Sequence, residues 1–284
     1  MAETKAEKPG RLVIAGCGLH PGHITAETVN AISNAELVMV VVPNPLSIVH
    51  IQSLNPRVEN LAKAYGEFVD RQHIYTAMAE RIISTVRNGV DLCVVFYGHP
   101  AVFVDSTHIA RRILLAEGYS VQMLPGISAE DCLFADLGID PGESGCQSYE
   151  ATQFLLNYHQ LHTGAYLLLW QIGLTAAHLL RSLRLNGQGI SAIVQLLQQW
   201  YPDDHLICVY EAATLPGQSP RTQWMPLSEL ENAMLQDWST LVVPPLTPLV
   251  LAEERLAWLG IEADRVAELA NFSQLWKERI HEEQ

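Results

Sequence analysis

The chain has 284 residues, of which 49% are hydrophobic, and its formal net charge is −14 at pH 7. This length and apolar content predict one large α/β domain or two domains of ordinary size. Only 17 residues are Lys or Arg, so the basic stripe of a nucleic-acid-binding protein is missing, and we expect no nucleic-acid partner.

Patterns for targeting, membrane insertion and metal binding are missing from the sequence. The first ten residues contain no apolar run of the secretory type, and the longest apolar stretch, 165–180, is shorter than the roughly 20 residues that span a bilayer. The five cysteines have no CxxC spacing, and the histidines form neither HExxH nor a Cys/His cluster. We therefore expect a cytoplasmic protein that binds neither a membrane nor a metal.

The first half of the chain alternates between short apolar runs and segments of helical periodicity. The predicted strands are RLVIAGCG, ELVMVVV, DLCVVFYG and SVQMLPG, and the predicted helices are TAETVNAIS, TAMAERIISTVRNG, HIARRILLAEG and SAEDCLFADLG. Thr25 and Ser128 are the expected N-caps, and helices are expected to end at Gly89 and Gly118. This alternation predicts a largely parallel sheet with crossover helices.

Gly, Pro and Ser cluster around 140–147, where the pattern changes. Beyond this point YEATQFLL, AYLLLWQIG, HLICVYEAA and TLVVPP are predicted strands, and 177–200 is a predicted helical stretch. Spaced Leu, Val and Trp residues after Pro245 predict an amphipathic tail that packs on its own domain or on a partner subunit. The expected organisation is a flexible N-terminus (1–10), two α/β subdomains (11–143 and 144–245) and a helical tail (246–284).

Three glycine-bearing turns follow predicted strands: GCG (16–18), FYGHPAVF (96–103) and LPGISAED (124–131). Ligands of open α/β sheets bind at the carboxyl ends of strands, so the turns predict a cleft lined by backbone amides and small side chains. GCG is a weak dinucleotide fingerprint without the third glycine of GxGxxG, and a tight turn without a ligand explains it about equally well. Since there is no Walker lysine, the cleft suits a flat, nucleoside-like ligand better than a triphosphate.

The segments GCGLHPGHIT, YGHP and LPGISAEDCLFADLGIDP resemble the tetrapyrrole methylase superfamily of class III S-adenosylmethionine (SAM) methyltransferases. YGHPAVFVD, GCQSYEATQFL and LLWQIG are more closely similar to the borosin peptide backbone α-N-methyltransferases. His99 stands where tetrapyrrole enzymes usually carry Asp, which favours a peptide over a porphyrinoid substrate. The resemblance covers about 11–245 and implies two α/β subdomains of the tetrapyrrole methylase type with the cofactor cleft between them, followed by the helical tail.

The resemblance also implies the site residues. For catalysis they are Tyr65, Arg71, Tyr75 and Tyr97. For binding SAM, which leaves as S-adenosylhomocysteine (SAH), they are Tyr97, His99, Val102, Ala129, Gln171, Ala212, Ser239 and Thr240. Because an amide nitrogen is a poor nucleophile, we interpret Tyr75 or Tyr65 as the base that removes its proton and Arg71 as the charge that favours the phenolate. Tyr97 would donate a hydrogen bond to the developing imidate oxygen. Without the resemblance, such a Tyr/Arg/Tyr set is more often structural.

The resemblance further implies a homodimer. The segment SQLWKERIHEEQ is charged and helix-prone and differs from the apolar core peptide of fused borosin proteins. We therefore expect the split type, which methylates a separate precursor peptide, as a homodimer or as a heterotetramer with two precursors. Two alternatives remain: a tetrapyrrole methyltransferase acting on a uroporphyrinogen- or precorrin-like substrate, and a non-catalytic SAM-binding interaction protein.

Overall fold

The structure, a computed structural model, describes residues 9–61, 71–177, 187–262 and 264–266. The chain divides into two compact units, 1–246 and 247–284. The first unit contains two five-stranded sheets, and the described part of the second contains one helix, Glu253–Leu259. Among the described residues, no helix combines the length and apolar character that crossing a membrane requires.

The first sheet is parallel throughout. Its strands are β1 (Arg11–Gly16), β2 (Leu37–Val41), β3 (Val58–Asn60), β4 (Leu92–Phe96) and β5 (Ser120–Leu124), in the order β3-β2-β4-β1-β5. The helices of this half are α1 (Ala26–Asn34), α2 (Pro45–Leu54), α3 (Arg71–Arg87) and α4 (Asp105–Ala116). Because every pair of strands is parallel, all five carboxyl ends lie at one edge of the sheet. The parallel sheet predicted from the alternating pattern is confirmed.

Both faces of the first sheet are covered, which explains why its strands are continuous apolar runs rather than alternating ones. Ile14 and Val94 point to one face and pack with residues of α3 and α4, including Ile82. Their chain neighbours point to the other face, where Val95 packs with Ile32 of α1 and with residues of α2. The Thr25 hydroxyl accepts the Thr28 N–H at 3.1 Å, as expected for the N-cap of α1.

The second sheet is mixed. Its strands are β6 (Cys146–Glu150), β7 (Tyr166–Trp170), β8 (Leu206–Glu211), β9 (Arg221–Pro226) and β10 (Thr240–Val243), in the order β6-β7-β10-β8-β9. Strands β6 and β7 are parallel, and the other neighbours are antiparallel. The carboxyl ends of β6, β7 and β8 therefore share one edge with the amino ends of β9 and β10.

Part of the strand prediction for this half was wrong. YEATQFLL is the end of β6 followed by a helix, α7 (Ala151–Leu156). The Glu150 carboxylate accepts the Gln153 N–H at 2.7 Å, so a side-chain cap starts a helix where the apolar residues alone indicated a strand. Strand β9 and helix α2 were not predicted from the sequence.

Helix α5 (Ala129–Leu137) joins the two sheets. It follows β5 in the chain, begins with a capping box between Ser128 and Asp131, and ends at Gly138 in the left-handed region. Leu133 packs with Trp170 and neighbouring residues on one face of the second sheet. The other face is covered by α7 and α8 (Gly187–Leu197). A short helix, α6 (Pro141–Ser144), separates α5 from β6.

Candidate active site

The three glycine turns meet at the carboxyl edge of the first sheet. The Gly98 N–H donates to the Gly18 carbonyl at 2.8 Å, and the Gly18 N–H donates back to the Gly98 carbonyl at 3.3 Å. Both residues lie in the left-handed region, with φ of 67° and 65°. A Cβ on Gly126 would lie 2.3 Å from the Gly98 carbonyl oxygen and 2.7 Å from the Gly16 Cα. Only glycine allows the backbones to come this close.

The turn after β4 leaves two predicted ligand residues accessible. Tyr97 is 47% exposed and Val102 is 42% exposed, although β4 itself is fully buried. The Tyr97 N–H donates to the Val41 carbonyl at 3.1 Å, which attaches the start of the turn to the end of β2. The half-buried His99 accepts the Ala101 N–H on Nδ1 at 3.1 Å. The turn is therefore fixed through its backbone, and some of its side chains remain available to a ligand.

The same turn contacts the second sheet. The ring of Phe103 lies 6.4 Å from that of Trp170, the last residue of β7, measured between centroids. Phe103 and Gln171 are both in the left-handed region with φ of 56°, which non-glycine residues rarely adopt. The next residue, Ile172, donates its N–H to the Ser239 carbonyl at 3.0 Å. Two strained residues in touching loops are typical of a functional site.

Four of the predicted cofactor residues lie at one edge of the second sheet. Gln171 follows β7 and Ala212 follows β8, while Thr240 begins β10 and Ser239 directly precedes it. They come together because β10 runs antiparallel to β7 and β8. Ser239 and Thr240 are buried.

Ala129, the first residue of α5, packs together with Ala212 against the core that includes Trp170 and Tyr210. The Tyr210 hydroxyl donates to the Asp136 carboxylate at 2.7 Å. Burial and this hydrogen bond raise the pKa of Tyr210 well above its usual value, so its proton stays in place. The structure thus brings the first residue of α5 to the second-sheet core.

The predicted catalytic residues are described only in part. Tyr65 lies outside the described residues, and the structure does not describe the side chain of Arg71, which begins α3. Tyr75, one helical turn later, is half-buried and lines a cleft of about 500 Å³ between α3 and α4, together with His108. His108 Nε2 lies 2.9 Å from the Ala101 carbonyl oxygen. The cleft therefore borders the turn that carries Tyr97.

The sequence analysis missed two polar groups at these edges. Glu211, the last residue of β8, accepts hydrogen bonds from Arg221 at 2.7 Å and from the Ser239 hydroxyl at 2.6 Å. An acidic residue directly after a buried strand was the available signal, because the carboxyl ends of strands are where ligand sites form.

The second missed group is the histidine pair of HPGH. His23 Nδ1 accepts the Leu19 N–H at 3.3 Å, and its ring lies 3.7 Å from that of His20. Burial and the neighbouring His20 lower the pKa of His23, and Asp136 acts in the opposite direction. His23 also packs on the glycine turn, since a Cβ on Gly18 would lie 2.1 Å from the His23 Cβ.

These features fit an adenosyl group. The bare backbone of the turns around Gly16, Gly98 and Gly126 leaves room that a Cβ would take, and Val102 offers an exposed apolar contact for a flat base. The Gln171 turn places a residue with an amide side chain at the facing edge.

Residues 11–230 match the model of the family Tetrapyrrole (Corrin/Porphyrin) Methylases. The chain is 36% identical over 250 residues to the methyltransferase/ribosomally synthesized cyclic peptide dendrothelin A precursor of Dendrothele bispora, covering 86% of this chain and 60% of that protein. It is 32% identical over 279 residues to the methyltransferase/ribosomally synthesized type I borosin cyclic peptide precursor of Serendipita vermifera subsp. bescii, covering 96% and 68%. For the corresponding type III borosin precursor of Anomoporia bombycina the values are 37%, 89% and 30%. The chain thus spans 60% or less of several curated relatives.

Solved structures share the fold. Uroporphyrin-III-C-methyltransferase from Thermus thermophilus has a TM-score of 0.60 at 18% identity, covering 84% of this chain and 93% of that one. The cobalamin biosynthetic enzyme cobalt precorrin-4 methyltransferase has a TM-score of 0.58 at 16% identity, covering 84% and 96%. The fold of two α/β sheets expected from the sequence is confirmed. The chain therefore belongs to the tetrapyrrole (corrin/porphyrin) methylase family, and methyltransferase/borosin precursor proteins are among its relatives.

Proposed function

We propose that the chain is a SAM-dependent methyltransferase whose acceptor is the backbone amide of a precursor peptide. The observation that carries the proposal is the turn at Tyr97–Pro100, which lies at the carboxyl edge of the first sheet in a chain 36% identical to a borosin-type methyltransferase/cyclic peptide precursor. The turn presents an exposed tyrosine at the point where family folds of this kind leave their loops free.

The methyl donor would lie against the glycine turns and the facing edge of the second sheet. Tyr97, His99 and Val102 would contact it from the first sheet, and Ala129 would do so from the start of α5. From the second sheet the proposed contacts are Gln171, Ala212, Ser239 and Thr240. When bound, SAM supplies an electrophilic methyl group carried on a sulfonium.

The protein's own residues would make the amide nitrogen reactive. Its lone pair is delocalised into the carbonyl, so the nitrogen must lose its proton while the carbonyl oxygen gains negative charge. We assign proton removal to Tyr75 or Tyr65, with Arg71 favouring the phenolate form of the base. Tyr97 would donate its hydroxyl proton to the oxygen in a hydrogen bond, which stabilises the charge where it develops.

Substitution of the proposed base separates chemistry from donor binding. Arg71→Ala and Tyr75→Phe should each abolish methylation, because neither variant retains both the phenol and its charge partner. Calorimetric titration with SAH should give a dissociation constant close to that of the unsubstituted protein for both variants. Full methylation by either variant would rule out its assignment.

The acceptor is tested by incubating the protein with SAM and a separate peptide that has a helical leader and an apolar tail. Fragmentation mass spectrometry should place each added methyl on a backbone nitrogen of the tail, and SAH should accumulate in equal amount. Methylation of a uroporphyrinogen instead would overturn the peptide proposal in favour of a tetrapyrrole methyltransferase. SAM binding without turnover on any acceptor would favour a binding protein.

We further propose a homodimer that takes its precursor from a separate chain. Native mass spectrometry of the protein alone should give twice the mass of the chain. With the precursor added, the mass should correspond to two chains and two peptides. A monomer under both conditions would contradict the proposed assembly.

A further inference from the structure

A chain of polar groups crosses the ligand edge of the second sheet. Arg221 Nη1 donates to Oε1 of Glu211 at 2.7 Å, and the Ser239 hydroxyl donates to the same oxygen at 2.6 Å. The Ser239 Oγ in turn accepts the Gln236 N–H at 2.7 Å. A single carboxylate oxygen therefore connects a guanidinium to the turn before β10.

The groups are largely removed from water. Ser239 is fully buried, and the side chains of Arg221 and Glu211 are only 28% and 14% exposed. Charge-assisted hydrogen bonds are short and strong, and removing one partner leaves the other charge poorly solvated. Each member of the chain therefore holds the next in one position.

Ser239 extends this order to the turn after β7. Its carbonyl accepts the Ile172 N–H at 3.0 Å, directly after Gln171, whose φ is 56° and ψ is 39°. A non-glycine residue keeps such a conformation only when its surroundings hold it there. The hydrogen bond from Ile172 is one such restraint, and it depends on where Ser239 lies.

The same chain also reaches the other proposed cofactor residues of this edge. Glu211 and Arg221 are direct partners in the pairing of β8 with β9. Ala212 follows Glu211 in the sequence, and Thr240 follows Ser239. A shift of the ion pair would therefore move both ends of the edge.

We propose that Glu211 and Arg221 are positioning residues for the methyl donor, which hold the Ser239 hydroxyl and, through it, the Gln171 turn in the geometry that binds SAM. The inference rests on the proposed function. Neither residue is proposed to touch the reacting atoms. Their effect should therefore appear in donor affinity and not in the chemical step.

The test compares SAH binding to the full chain by calorimetry for Glu211→Gln, Arg221→Met and Arg221→Lys. Arg87→Met is the matched control, because Arg87 forms an ion pair with Glu117 at the carboxyl-terminal ends of α3 and α4, away from this edge. The first two variants should bind SAH about tenfold more weakly, a change of ~1.4 kcal/mol. Arg221→Lys keeps the charge and should restore most of the affinity, and the control should bind normally.

Kinetics and the unsubstituted protein separate the remaining outcomes. For a positioning role, KM for SAM should rise in Glu211→Gln and Arg221→Met while kcat stays within about twofold. Equal SAH affinity in all variants would overturn the positioning role and leave the proposed function intact. So would a fall in kcat at constant KM. If the unsubstituted protein does not bind SAH, the proposed function fails and this inference fails with it.

Discussion

Tyr97 shows how a single residue links a buried strand to an accessible edge. The five residues before it are buried in β4, and it is 47% exposed immediately after them. Its backbone N–H is held by Val41 of the neighbouring strand at 3.1 Å. The backbone is thus anchored in the sheet while the phenol reaches the surface, an arrangement that suits a group that must meet a substrate.

Removing the Tyr97 hydroxyl should slow methylation. Tyr97→Phe removes the proposed donor to the imidate oxygen, and loss of one such donor typically costs about 10²-fold in kcat. Initial rates of SAH formation at saturating SAM give the effect. Tyr158→Phe is the control, because Tyr158 is fully exposed and should leave the rate unchanged. A rate within twofold for Tyr97→Phe would contradict the assigned role.

His23 should make stability depend on pH. Burial and His20 lower the folded pKa of His23 below its usual value of about 6.5, with Asp136 acting in the opposite direction. The unfolded chain therefore takes up the proton first, and stability falls as the pH drops from about 6.5 through the folded pKa. Protonation of Nδ1 would also remove the acceptor of the Leu19 N–H.

The measurement is the melting temperature of the protein between pH 7 and 5. His23→Asn keeps an acceptor near Nδ1 but cannot titrate, so its melting temperature should fall less over this range than that of the unsubstituted protein. Equal falls would show that other groups cause the pH dependence.

The glycine turns are the main functional device at the scale of elements. Three connections that are far apart in the sequence touch at one point, where Gly16, Gly98 and Gly126 lie backbone to backbone. Parallel pairing makes this possible, because it brings the carboxyl ends of β1, β4 and β5 to one edge in adjacent positions. The contact restricts the shape of the edge that the donor is proposed to occupy.

A side chain at Gly126 should disrupt this contact. Its Cβ would lie 2.3 Å from the Gly98 carbonyl oxygen, and both obstacles are backbone atoms that cannot rotate away. We expect Gly126→Ala to lose about 2 kcal/mol of unfolding free energy, within the range for overpacked sites. Urea denaturation measures the loss. Gly187→Ala, where a Cβ would meet nothing within 4 Å, should lose none.

Element boundaries were predictable where a local signal exists. Thr25 and Ser128 were correctly identified as N-caps because hydroxyl capping depends on only three or four neighbouring residues. The Glu150 cap was missed, and the helix it starts was taken for a strand. Apolar periodicity over six residues does not distinguish the two, and the cap decides.

At the scale of the whole first unit, a few specific contacts join the two sheets. Helix α5 continues from the first sheet and packs on the second, and the Tyr210 hydroxyl donates to Asp136 of this helix at 2.7 Å. The Asn44 side-chain amide donates to the carbonyl of Thr214, beyond β8. These bonds hold the facing edges in register, so a ligand between them would meet a preformed site.

Breaking the Tyr210 bond should destabilise the protein. Tyr210→Phe leaves the Asp136 carboxylate without this donor, which typically costs ~1–3 kcal/mol for a poorly solvated group. Tyr166→Phe is the matched control, since Tyr166 packs half-buried against the same core and its hydroxyl makes no hydrogen bond with a described residue. Thermal unfolding of both variants compares them. Equal melting temperatures would mean that the Tyr210 bond contributes nothing.

The sequence alone determined the α/β class, the three glycine turns and the family resemblance, because all of them are carried by short continuous segments. The tertiary structure decided which turns touch and that the amino end of β10 joins the carboxyl ends of β7 and β8. It also brought Arg221, ten residues beyond Glu211 in the sequence, opposite it on the next strand. Strand order and direction arise from packing between distant segments, and no local periodicity encodes them.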